Sequence, residues 1–130
     1  VMEAKWGLVP DMGGPTLLRE LVPMDLAKEL TMTGRIVDAV EAKAAGLVTH
    51  VSDDAMADAR RLADEVAARS PDAVAAGKFL LQEAWIATEH GSLAAERRWQ
   101  RRVLGRKNQR IAVSNNQKRE EKPFGPRRLG

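Results

Sequence analysis

Strand character is confined to two short stretches of this 130-residue chain, and that scarcity limits what it can fold into. Residues 1–10 are apolar with Gly7 and Pro10 as punctuation, which reads as the end of a strand passing into a tight turn. Residues 47–51, Leu-Val-Thr-His-Val, read as a second strand. Two strands do not make a stable sheet in water. Both are therefore expected to need partners from residues preceding Val1.

The rest has helical spacing. Asp11 is placed to cap the helix that follows, because its carboxylate can accept from free first-turn amides. The stretch 15–21 reads as a short helix with Leu17, Leu18 and Leu21 inward, and a helix starting at Pro23 puts Met24, Ala27 and Leu30 on one face. Asp38 and Glu41 have capping-box spacing, with Asp in the Ser/Thr role, and Gly46 stops that helix as a left-handed cap. Ser52, Asp53 and Asp54 open the next helix, with Met56, Ala59, Leu62, Ala63 and Val66 at helical spacing. Ser70-Pro71 starts another, running to His90 with Val74, Leu81, Ala84 and Trp85 inward and Gly91 as its end. Ser92 then caps a long segment holding Leu93, Trp99 and Val103, interrupted near Gly105. Beyond Asn115 the chain is polar, and Lys122-Pro123-Phe124-Gly125-Pro126 cannot be regular helix.

The length suits one domain. With no cysteine, disulfides, thiolate catalysis and Cys-based zinc sites are excluded, and two histidines without a third partner do not make a His-rich metal site. No metal is expected. No run of about 18 apolar residues exists and the start shows no signal-peptide pattern, so the expectation is a cytoplasmic protein without a membrane partner. The net charge of +3 hides a division. Residues 1–96 carry 9 Lys/Arg against 16 Asp/Glu, a net −7, whereas residues 97–130 carry 12 against 2, a net +10. Such a tail suits a nucleic acid, a phosphorylated ligand or an acidic subunit, or is a solvated face with a loose terminus.

Several segments arrive in a telling order: Glu3-x-x-x-Gly7-Leu8-Val9-Pro10-Asp11-x-Gly13-Gly14, then Leu30-Thr31-Met32-Thr33-Gly34-Arg35, then Glu41-Ala42-x-x-Ala45-Gly46-Leu47-Val48. Ser70-Pro71 with Lys78, Glu96, Lys118-Arg119 and Pro123-Phe124 follow. Together they resemble the carboxyl-terminal half of the enoyl-CoA hydratase/isomerase (crotonase) family across nearly the whole chain. The resemblance implies an α/β fold, the crotonase (ClpP/crotonase-like) spiral. This chain would be its mostly helical carboxyl-terminal portion, with about two short strands. Residues 1–51 would end the core and carry part of the active site; 52–130 would form a helical oligomerisation region, packing trimers or hexamers.

The family acts on unsaturated acyl-CoA thioesters in fatty acid metabolism. Two backbone N–H groups grip the thioester carbonyl and stabilise an enolate-like anion, while carboxylates move protons. Acyl-CoA is then the substrate and no cofactor is implied. The two amides and the first of the family's two acids would lie before Val1. By the resemblance, Glu3 falls where the family places its second catalytic glutamate, although Met2 stands where proline is usual. Asp11 replaces a glycine of typical hydratases and is similar to the aspartate of Δ3,5-Δ2,4-dienoyl-CoA isomerases, which keep the same eight-residue separation from the glutamate.

Two acids suit double-bond migration because one proton leaves one carbon and another arrives farther along. Spacing alone also fits a helix cap at Asp11 and a solvated Glu3. Trp6 is a candidate for lining an acyl pocket, or a core residue. Gly13 and Gly14 read as a structural turn, and His50 and His90 as structural, with His90 favourably placed at a helix's negative end. Lys118, Arg119, Lys122 and Phe124 are candidates for contacting coenzyme A, although Asn115 stands where the family often has an aromatic residue. Two readings compete with the enzyme: a non-catalytic helical association module, and nucleic-acid binding through the tail. The latter lacks a recognition motif, and no nucleic-acid partner is expected.

Overall fold

Neither expected strand forms in the computed structural model, which describes residues 1–129 and contains no strand among them. Residues 3–6 wind instead into a single 3-10 turn, Glu3–Trp6, closed by Gly7 at φ 71°. Residues 47–51 have no regular structure. The cause is the absence of a paired edge: a strand's backbone groups need a neighbour, and a local turn satisfies them within the segment. Here Lys5 N–H donates to Met2 C=O at 3.1 Å and Leu8 N–H to Glu3 C=O at 3.0 Å.

Among the described residues seven helices follow: α1 (Gly14–Leu18), α2 (Met24–Thr33), α3 (Ala39–Ala44), α4 (Ala55–Ala67), α5 (Pro71–Ala84), α6 (Glu89–Val103) and α7 (Lys107–Lys118). They fall into two compact units, Val1–Ala55 and a second from Met56 onward. Gly130, the last residue of the expected 52–130 region, lies outside the described residues.

In the first unit, α1 starts at Gly13, whose φ of 82° favours glycine. Asp11 does not cap it: the start of α1 has no side-chain cap. The second cap behaves as the spacing predicts, with Asp38 Oδ1 accepting from Glu41 N–H at 2.8 Å. Glu41 does not complete the box, because its carboxylate turns to Arg35. Helix α3 ends in a Schellman motif: Gly46 N–H donates to Lys43 C=O and Leu47 N–H to Ala42 C=O. Gly46 is also pressed against backbone, since a Cβ there would sit 2.8 Å from Leu21 O. The buried apolar residues are Leu18, Val22 and Leu30; Leu17, Leu21 and Met24, expected inward, are exposed.

In the second unit α5 packs on α6. Ser70 caps α5, accepting from Ala73 N–H at 3.3 Å. The buried residues of the two helices are small, Ala75, Ala76 and Ala95, rather than the expected Val74, Leu81 and Trp85, which are exposed. Close approach of two backbones favours the alanine stripe, and larger side chains meet at its edge, where Phe79 stacks on Trp99 with centroids 5.5 Å apart. Helix α5 also stops earlier than expected. Thr88 Oγ1 accepts from Gly91 N–H at 3.2 Å and starts α6, so Gly91 lies inside the new helix and Ser92 is no cap. His90 thus sits in the first turn of α6, at the positive rather than the negative end. Gly105, at φ 74°, divides α6 from α7 as the sequence predicts. Met56, Leu62 and Val66 of α4 are exposed.

Candidate active site

The acidic pair lies in the first unit. Glu3 opens the 3-10 turn, which packs on the carboxyl-terminal end of α2. Gly34, buried and at φ 58°, permits this: a Cβ there would lie 3.2 Å from Lys5 Cγ and 3.5 Å from Met2 Cα. Met2 therefore presents backbone at the position where the resemblance leads one to expect proline. Glu3 itself is half-buried, and its Oε2 is buried with no hydrogen-bond partner among the described residues. Native proteins pair nearly all such atoms, so an orphaned carboxylate oxygen is an exception that calls for a role.

Asp11 lies in the irregular stretch between the 3-10 turn and α1, exposed. No hydrogen bond joins it to Glu3. Trp6 is 78 % exposed, which removes it from the core of this unit. Leu8, Val9 and Met12 are also exposed, so apolar side chains lie along the chain on both sides of Asp11.

Arg35 braces the frame behind this turn. Its guanidinium donates to Glu29 at 2.7 Å and bidentately to Glu41 at 3.0 and 2.6 Å, linking α2 to α3. These bonds hold the Glu41 carboxyl below its ordinary range and raise the arginine. The motif through Thr33-Gly34-Arg35 did not signal this clamp.

The tail candidates lie in the second unit. Lys118 is exposed at the end of α7, and Arg119 turns the chain with a left-handed φ of 52°. Lys122 pairs with Glu120 at 2.7 Å, and its backbone is held both ways by the Asn115 amide, at 2.9 and 3.0 Å. Asn115 thus has a structural task where the family often places an aromatic ring. Phe124 is half-buried.

Sequence reasoning missed what fastens this tail. Asn108, 2 % exposed, donates to Asp72 Oδ2 at 2.9 Å and to Gly125 C=O at 3.1 Å, while its Oδ1 accepts from Gly125 N–H at 2.8 Å. Asp72, 5 % exposed, accepts from Arg128 N–H at 2.7 Å and Leu129 N–H at 3.3 Å. These bonds, led by the Arg128 amide, hold the Asp72 carboxyl below its ordinary range. The partners are 36 to 57 residues apart, and nothing in their local sequence signals the pairing. The tail is pinned rather than loose.

Among the described residues no helix is long and apolar enough to cross a membrane. The family profile described as Enoyl-CoA hydratase/isomerase matches residues 1–124. The chain is 44 % identical over 78 residues to the enoyl-CoA hydratase EchA19 of Mycobacterium tuberculosis, covering 58 % of this chain and 29 % of that one. It is 40 % identical over 93 residues to the carnitinyl-CoA dehydratase of Proteus mirabilis, covering 70 % and 34 %. Among solved structures, an enoyl-CoA hydratase from Polaromonas sp. JS666 superposes with a TM-score of 0.84 at 33 % identity, over 94 % of this chain and 48 % of that one. One from Bacillus anthracis gives 0.88 at 26 %, over 95 % and 48 %. The chain therefore spans about a third of the length of these curated relatives and half of these solved ones. The fold is the crotonase fold, of which the described residues are a mostly helical portion.

Proposed function

Because the chain belongs to the enoyl-CoA hydratase/isomerase family, we propose that it supplies carboxylate acid-base chemistry to an acyl-CoA active site. Its carbonyl-gripping amides would come from further polypeptide. Glu3 is the principal proton carrier. The observation carrying this reading is its buried, unpartnered Oε2: a carboxylate with a free acceptor can take a proton without first breaking a bond. Asp11 is the second carrier, exposed and uncommitted to a helix cap. Two acids on one segment suit migration of a double bond in a dienoyl-CoA, with hydration of a 2-enoyl-CoA as the alternative. Trp6, Lys118 and Phe124 are proposed contacts to the acyl-CoA, no further cofactor is required, and a trimer or hexamer is the proposed assembly.

The test is to place Asp11→Asn in a full-length enzyme containing this chain and assay both substrates. Loss of isomerisation with hydration intact supports the two-acid reading; undiminished isomerisation removes Asp11 from it. A second reading, a non-catalytic helical association module, draws on the exposed Met56, Leu62 and Val66 of α4. Turnover of any acyl-CoA by the 130-residue chain alone, at a rate comparable with a full-length enzyme, would end it.

A further inference from the structure

A small pocket of about 100 Å³ lies where the tail returns to α5, α6 and α7. Arg102, Arg106, Lys107 and Arg128 line it, with Asp72 as the only carboxylate among the described residues that line it. Among the described residues none of the four cations makes a salt bridge, whereas Arg19, Arg35, Arg61, Arg98 and Lys122 all do. Asp72 offsets one of the four charges. Although its charge faces Arg128, both its oxygens already accept from Asn108 and the amides of residues 128 and 129. Arg102 lies over the Trp99 ring at 4.7 Å and within electrostatic reach of Glu83, so it is positioned but not ion-paired. Lys107 reaches over Gly125, its Nζ 4.0 Å from where a Cβ would stand. The first turn of α7 adds its positive end, with no side-chain cap at Arg106.

Arg102, Arg106 and Lys107 are close in sequence and the returning tail adds Arg128, so the cluster is net positive against Asp72; its cations repel one another, and the arrangement is relieved by an anion. The volume of about 100 Å³ suits one tetrahedral oxyanion. Guanidinium forks match phosphate oxygens. We propose that this pocket binds a single phosphate group, and that the bound anion fastens the tail to α7 through Arg128. None of these four residues belongs to the tail candidates Lys118 and Phe124.

The test uses the full chain and inorganic phosphate, followed by calorimetric titration and by the thermal midpoint at constant ionic strength. Saturable binding with a rising midpoint is expected, weakened about tenfold by Arg106→Gln or by Lys107→Gln, both surface changes, because each removes a charge-assisted contact. Arg69→Gln, outside the pocket, is expected to leave it unchanged. A response that chloride reproduces, or that survives both pocket variants, overturns the proposal. Coenzyme A and dephospho-coenzyme A, as competitors, separate two sources of the same group. Competition by the first alone identifies its 3′-phosphate; competition by neither, with phosphate binding intact, identifies free phosphate. Only that arm rests on the acyl-CoA reading, so failure of that reading leaves the phosphate result standing.

Discussion

Glu3 and Asp72 are both acids in the first turn of a helical segment, and their surroundings differ in one respect. Both oxygens of Asp72 are filled by donors from distant parts of its unit, whereas one oxygen of Glu3 is buried with no donor. A filled carboxylate is fixed in place and in charge; an unfilled one retains a site for a proton. The contrast is the ground on which Glu3 rather than Asp72 is proposed for proton transfer, although their local sequences do not separate them.

The sharpest way to break the comparison is to neutralise each acid in a full-length enzyme. Glu3→Gln is expected to lower turnover of acyl-CoA by about 10²–10⁴-fold while the unfolding midpoint stays near that of the parent. A large loss of stability with activity retained would reverse the roles. Asp72→Ala is expected to cost about 3 kcal/mol, because Asn108 and two tail amides lose their buried acceptor. Denaturant unfolding measures the cost, and faster amide exchange at residues 125–129 localises it.

Acid sharpens the same point. The Asp72 pKa is depressed on folding, so its contribution to stability is complete above the unfolded value of about 3.9 and is lost as pH falls through the folded value. Tail protection is expected to be level from neutrality to about pH 4 and to decline only on further acidification. Asp72→Asn should abolish that decline. Caps offer a smaller test. Ser70→Ala, at a buried cap, is expected to cost about 2 kcal/mol, and Asp38→Ala, at an exposed one, about 0.5 kcal/mol. Smallest of all, Trp6→Ala is expected to change stability by less than about 0.5 kcal/mol, since the ring is largely exposed. A raised KM for acyl-CoA in that variant would assign the ring to ligand.

What was legible in the residues was mostly local. Asp38 before Glu41, Ser70 before Pro71, and Gly46 and Gly105 at positive φ all mark boundaries through chemistry spanning four or five residues. The misreadings were competitions between neighbouring local signals. Thr88 outranked Ser92 as a cap, and the glycine at 13 made Asp11 unnecessary as one. The inward faces of α1, α2 and α5 were misjudged because periodicity identifies a stripe but not the neighbour that covers it. On α5 Ala75 and Ala76 were covered and Val74 and Leu81 were not.

The amino-acid sequence by itself determined the helix boundaries at Asp38, Gly46, Ser70 and Gly105, the charge division and the order of motifs that places the chain in its family, since each depends on residues close in the chain or on simple composition. Only the tertiary structure decided that residues 3–6 form a turn rather than a strand, that Asn108 clasps Asp72 and Gly125, and that Glu3 keeps one oxygen unpaired. Those outcomes depend on which backbone edges and donors meet across long separations, and short-range pattern carries no information about such meetings.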